Sequence, residues 1–264
     1  MTLASDIAAR TRLITDTEGE TRAILEEALV RIQAILAAAP SDAEQWRLEA
    51  LAEDIRRVLR ESGNEAALAV GAAQDATAAA GRVLVDGAVA RAGARLVLPI
   101  VSNTQVAAMK EFLTAKIKDV TLEAANRINT ELGLALIGAQ SPLEAQAKVA
   151  AILKEATSER ARTIVRTELG RAYSASAFAR LAQAAEFIPG MQKKWVKSGK
   201  AHPRLEHQLI GGQVRAWDKP FDLRVKTATG WAPIQMMYPH DPKAPPAATI
   251  NCGCVMVPVV PKGA

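Results

Sequence analysis

The residues best suited to chemistry lie near the end of the chain, in Asn251-Cys252-Gly253-Cys254, which holds both cysteines of the 264 residues. Side chains at i and i+2 of an extended strand point to one side, so both thiols can face a single zinc ion, with imidazole completing the ligand set. His207, with His202 or His240, is the available donor. Cys-x-Cys, however, lacks the Cys-x-x-Cys spacing of most structural zinc sites. The favoured expectation is therefore no cofactor: reduced thiols packed as small hydrophobes on a closing strand, and histidines bonded to a neighbouring loop. Zinc on His207, Cys252 and Cys254 is the alternative.

A second set of polar groups lies upstream. Arg160, Thr163, Thr167, Arg171 and Ser174 recur every three or four residues, one face of a helix, with Arg166 and Glu168 beside them. Such a stripe can hold an anion, but a buried polar network that fixes a small domain uses the same residue types, and the network is the favoured reading. The sequence has no Gly-x-Ser-x-Gly elbow, Walker loop, His-Glu-x-x-His or dinucleotide-binding glycine pattern. An enzyme is thus the lesser expectation. It would be a metal-dependent hydrolase or toxin-like effector, with His207, Cys252 and Cys254 on zinc and Glu168 or Glu206 as base.

The elements that must position these groups change character along the chain. Apolar residues at Ile24, Leu25, Ala28, Leu29, Ile32, Ile35 and Leu36 predict a helix within 13–38. Pro40 stops it, and Ser41-Asp42-Ala43-Glu44 reads as a capping box for a second helix, which Ser62-Gly63-Asn64 ends. An Ala- and Gly-rich third run, 65–96, suits close helix packing and is expected to bend or break. Ser102-Asn103-Thr104 caps a helix reaching Leu132. Ser141-Pro142-Leu143-Glu144 starts another through Leu153, and a further helix occupies about 158–187.

Beyond residue 187 lie ten of the thirteen prolines and three of the four tryptophans. Here the expectation is a small irregular sheet under one or two short helices: an edge strand at 193–197, a helix at 203–209 ended by Gly211-Gly212, and a last strand at 255–260 with Pro258 at a sheet edge. The fold class is α+β, an all-α region over 1–140 followed by a small α+β domain over 141–264. The net charge of +5 combines an acidic first part with a basic second one, where Lys193, Lys194, Lys197, Lys200 and Arg204 are candidates to face DNA without sequence preference. No helix-turn-helix spacing marks a sequence reader. No stretch has about 18 uncharged apolar residues, so no membrane anchor is expected.

Taken in order, these motifs resemble the phage head morphogenesis proteins related to the Mu F protein. The similar stretch on the helix is Arg162-Thr163-Ile164-Val165-Arg166-Thr167-Glu168, followed by Arg171-Ala172-Tyr173. A tryptophan strand around Trp195 follows, then Arg204-Leu205-Glu206-His207 leading to Gly211-Gly212, and a Pro-rich approach, Tyr238-Pro239-His240-Asp241-Pro242, to Asn251-Cys252-Gly253-Cys254. Two positions depart from the family pattern: Lys200-Ala201-His202 stands where an acidic residue is usual, and Gly253 replaces an Arg between the cysteines.

The resemblance implies a minor capsid protein of a tailed phage or prophage, at the portal vertex or capsid interior of the virion and in the host cytoplasm during assembly. It would act in head assembly and in DNA packaging or delivery. Its implied partners are portal, capsid or scaffolding proteins and packaged DNA, with homo-oligomers possible.

Overall fold

The computed structural model describes residues 2–38, 45–94, 98–99, 104–136, 139–201, 203–227 and 230–261. Four long helices come first: α1 (Leu3–Ala37), α2 (Gln45–Arg91), α3 (Thr104–Leu136) and α4 (Pro142–Phe187). Five short strands and two short helices follow: β1 (Gln192–Val196), α5 (Leu205–Leu209), β2 (Val214–Ala216), β3 (Phe221–Thr227), β4 (Gly230–Met236), α6 (Pro246–Thr249) and β5 (Val255–Val259). The fold is α+β, as the sequence predicts. Among the described residues, no helix is long and apolar enough to cross a membrane.

The chain packs as two compact units, one of residues 16–72 and 111–165, the other of residues 1–15, 73–110 and 166–264. Each unit draws residues from both sides of position 140. The described elements of the first are all helices. Its core is the predicted stripe of α1, with Ala28, Ile32 and Leu36 buried against Ile55, Leu59, Ala124, Ile128, Val149 and Ile152. Charged residues pair on its surface, as Arg31 does with Glu61 at 2.7 Å.

Helix ends follow local chemistry where tertiary packing leaves them free. Ser141 Oγ accepts the Glu144 N–H (3.2 Å) while Glu144 Oε2 accepts the Ser141 N–H (2.8 Å), the reciprocal capping box expected there. Thr2 and Ser5 exchange equivalent bonds, which starts α1 about ten residues before the helix predicted from residue 13. The capping residues foreseen at 41–44 and 102–103 lie outside the described residues.

Three predicted breaks are absent, one of them in the glycine-rich run, which α2 spans unbroken as far as Arg91. Helix α2 runs through Ser62-Gly63-Asn64 because Gly63 sits against Thr121, where a Cβ would collide with the Thr121 hydroxyl. Close packing thus outweighs the unfavourable helix propensity of glycine. The stretches 141–153 and 158–187 form one helix, α4, since no Gly or Pro lies between them.

The second unit carries the sheets. Strands β2, β1 and β5 form an antiparallel sheet in that order, and β3 pairs antiparallel with β4 as a hairpin. β1 is therefore central rather than an edge strand, while Pro258 lies on β5 at the sheet edge, as expected. Trp195, Tyr173, Phe221 and Leu84 anchor this core. Gly81 of α2 lies against the Tyr173 carbonyl of α4, leaving no room for a side chain, so the glycine-rich run does allow close backbone approach.

Candidate functional site

The site lies within the second unit and is built on the C-terminal half of α4. The helix turns Thr167, Glu168, Gly170, Arg171 and Tyr173 toward the body of the unit, and all of them except Arg171 are buried. Thr167 Oγ1 accepts the Asn251 N–H at 2.8 Å, fastening the segment before the cysteines to the helix. Asn251 has φ +54, a left-handed conformation that Asn tolerates better than most side chains and that turns the chain out of α6. Arg171 Nη1 donates to Glu168 Oε2 at 2.6 Å, and both partners are largely buried.

Gly170 gives the site its second wall. A Cβ there would lie 2.5 Å from His240 Nε2 and 3.1 Å from Arg10 Nη2, so an imidazole and a guanidinium rest directly on the helix backbone. His240 is fully buried at φ +66, and neither ring nitrogen has a hydrogen-bond partner. Burial holds its pKa well below the usual range; the charges of Arg10 and Arg171 push the same way, against a smaller pull from the Cys252 backbone. The ring is therefore neutral at ordinary pH. Asp241 fixes its loop, accepting the Met237 N–H at 2.8 Å and the Lys243 N–H at 2.9 Å.

Helix α5 supplies His207, and the turn from α6 into β5 supplies the cysteines. His207 Nδ1 lies 3.4 Å from Cys252 Sγ and 3.5 Å from Cys254 Sγ, and all three residues are buried. Trp195 of β1 meets the imidazole edge-on, with ring centroids 5.5 Å apart at 88°. The two thiols are not joined. They share a proton unequally: their mutual hydrogen bond holds Cys254 down and, with burial, pushes Cys252 up. His207 and the Ser198 backbone further favour the Cys254 thiolate.

Two basic groups brace the same turn. Lys200 Nζ donates to the Asn251 carbonyl (2.5 Å) and Oδ1 (2.9 Å), and Arg204 Nη2 donates to the Ile250 carbonyl (2.6 Å). The space beside Gly253 is filled by Ser198 and Lys200, whose Cβ and Cε would lie 2.8 and 3.2 Å from an added Cβ. Ser198 is the nearer obstacle to a side chain at 253, and the flexible end of Lys200 lies just beyond it.

The arrangement gathers Thr167, Glu168, Trp195, Lys200, Arg204, His207, Asn251, Cys252 and Cys254 in one unit. Arg162 and Thr163 belong to the helical unit instead, where Arg162 makes an exposed pair with Glu159 at 3.1 Å. Arg160, at the head of the predicted stripe, also lies there and pairs with Glu123. The expected DNA-facing set divides too. Lys194 and Lys197 are exposed, but Lys193 is fully buried, its Nζ donating to the Met237 carbonyl at 2.8 Å above the Phe178 and Phe221 rings.

Lys193 is thus a core cation, because it shares the inward face of β1 with Trp195. Arg10, Asp6, which pairs with Arg91 at 3.4 Å, and Gly170 escaped the sequence reading. Nothing local marks the first two, and only the helical spacing of Gly170 from Arg166 and Tyr173 hinted at the third. His202 lies outside the described residues.

Comparison with known proteins bears on this half of the chain. A family model described as "Phage Mu protein F like protein" matches residues 126–257, a span that runs from the end of α3 into β5. "Uncharacterized protein YqbB" of Bacillus subtilis (strain 168) is 37% identical over 105 residues, 39% of this chain and 31% of that protein. The chain therefore spans less than a third of the length of that curated relative. No solved structure matches.

Proposed function

The chain belongs to the phage Mu protein F like family, and from that premise we propose that it is a minor head protein of a tailed phage or prophage. In this reading it sits at the portal vertex or capsid interior and acts in head assembly and in packaging or delivery of DNA. The single observation that carries the reading is the family match over residues 126–257, which takes in every motif gathered around α4 except Arg10. The basic balance beyond residue 140 and the exposed Lys194 and Lys197 support a surface tolerant of phosphate. Long amphipathic helices suit contact with portal, scaffold or further copies of the chain.

The test is to purify particles from a lysogen carrying a tagged copy and to quantify the protein by mass spectrometry in full and DNA-emptied heads. A few copies per particle, with heads failing to form or fill when the gene is deleted, is the expected result. Absence from particles, with normal heads after deletion, would overturn it. DNA binding by the purified chain should ignore sequence and weaken steeply with salt, as counterion release requires.

A further inference from the structure

Two sulfurs lie at nearly equal range from one imidazole nitrogen, 3.4 and 3.5 Å from His207 Nδ1. A ring nitrogen offers one in-plane lone pair or one N–H, so it serves one hydrogen-bond partner well and a second one poorly. A metal ion on that lone pair serves all three atoms at once. The spacing agrees. With Zn–S about 2.3 Å and Zn–N about 2.0–2.1 Å, the nitrogen-to-sulfur edge of a tetrahedron is about 3.6 Å.

The surroundings fit as well. The Cys254 N–H points at Cys252 Sγ from 3.4 Å, a donor suited to the extra negative charge of a metal-bound thiolate. Gly253 lets the turn pass beneath Ser198 and Lys200 while both sulfurs face His207. With Nδ1 on a metal, the ring proton is confined to Nε2, on a ring already seated against Trp195.

We propose that His207, Cys252 and Cys254 bind one zinc ion, leaving its fourth tetrahedral position to water or another exogenous ligand. Thiolate and imidazole donors select a soft or borderline ion over magnesium or calcium. Spacing alone favours packed thiols; it is the convergence of both sulfurs on one nitrogen that reverses the preference. The inference stands apart from the role in phage heads and survives or fails independently of it.

The full chain, purified reduced and without chelator, should contain about one zinc per molecule by elemental analysis. Blocking the thiols should release that zinc as the second cysteine reacts, and exchange with cobalt should give thiolate-to-metal charge-transfer absorption with the intense visible bands of a tetrahedral ion. Cys254→Ser and His207→Ala should lower retained zinc at least tenfold. If either variant misfolds, the release and cobalt measurements on the unaltered chain still decide. A folded chain with two freely reactive thiols and no stoichiometric zinc after dialysis against it would overturn the proposal, and so would a Cys252–Cys254 disulfide or an octahedral cobalt spectrum.

Discussion

The two units solve the burial problem in opposite ways. The helical unit buries Ala28, Ile32, Ile55, Leu59, Ile128 and Ile152 and keeps its charges at the surface, in pairs such as Arg31–Glu61 and Arg160–Glu123. The sheet-bearing unit buries Glu168, Lys193, His207, His240 and Asp241 beside Trp195 and Tyr173. Some of its buried polar atoms, both ring nitrogens of His240 and the Tyr173 hydroxyl among them, have no hydrogen-bond partner. Buried groups of this kind cost stability unless compensated, and they accumulate where a structure is shaped for more than packing. The contrast therefore separates a unit held by apolar packing from one that also buries charged and polar groups.

The largest expected effect tests the buried charge. Glu168→Gln leaves the nearly buried Arg171 without its anion and should cost about 3–5 kcal/mol in urea unfolding. A cost under about 1 kcal/mol would mean the pair is solvated in solution.

Glycines give the next contrast. Gly81→Ala forces a methyl against the Tyr173 backbone and should cost about 1–3 kcal/mol. Gly133→Ala in α3, with nothing within 4 Å, should gain about 0.5–1 kcal/mol by the same assay. Equal effects at both positions would erase the distinction.

Lys193 makes a pH prediction. Burial lowers its pKa from 10.5 to about 8, against smaller opposing contributions from Asp218 and Asp241. Between those values the unfolded chain binds more protons, so this group makes stability rise with pH from about 8 to 10.5. Because burial and their mutual hydrogen bond also shift the cysteines, and burial shifts Tyr173, away from their ordinary values, the measurable quantity is the difference between the parent and Lys193→Met. That difference in melting temperature should shift in favour of the parent as pH increases through this window; a constant difference would contradict the burial.

The smallest effect belongs to the helical surface. Glu61→Gln should change stability by no more than about 0.5 kcal/mol, because its partner Arg31 is 45% exposed and remains hydrated. A larger loss would show that surface pairs there act as a network.

What could be read from the sequence was what local chemistry decides. The Ser141–Glu144 capping box, the α1 stripe, the short helix before Gly211-Gly212 and the edge position of Pro258 all depend on residues near in sequence. Ser62-Gly63-Asn64 misled because its packing partner, Thr121, is about sixty residues away. Lys193 was legible and overlooked: once Trp195 is taken as buried in a strand, the residue two before it must face inward as well. The meeting of His207 with both cysteines was a pairing the sequence permitted but could not choose. Arg10 carried no local signal, since the groups that surround it, Gly170, Tyr173 and His240, are 160 to 230 positions downstream.

That last separation has a consequence for how the protein comes into being. During synthesis residues 1–15 are separated from segment 73–110 of their unit by residues 16–72, and from its segment 166–264 by residues 111–165 as well, so the guanidinium of Arg10 lacks its contact with His240 until that residue has been added. Asp6 meets Arg91 early in the chain, whereas the contacts of Arg10 with Gly170, Tyr173 and His240 need residues made much later. Contacts so distant along the chain are expected to close late, so those of Arg10 belong to the last steps of folding rather than the first.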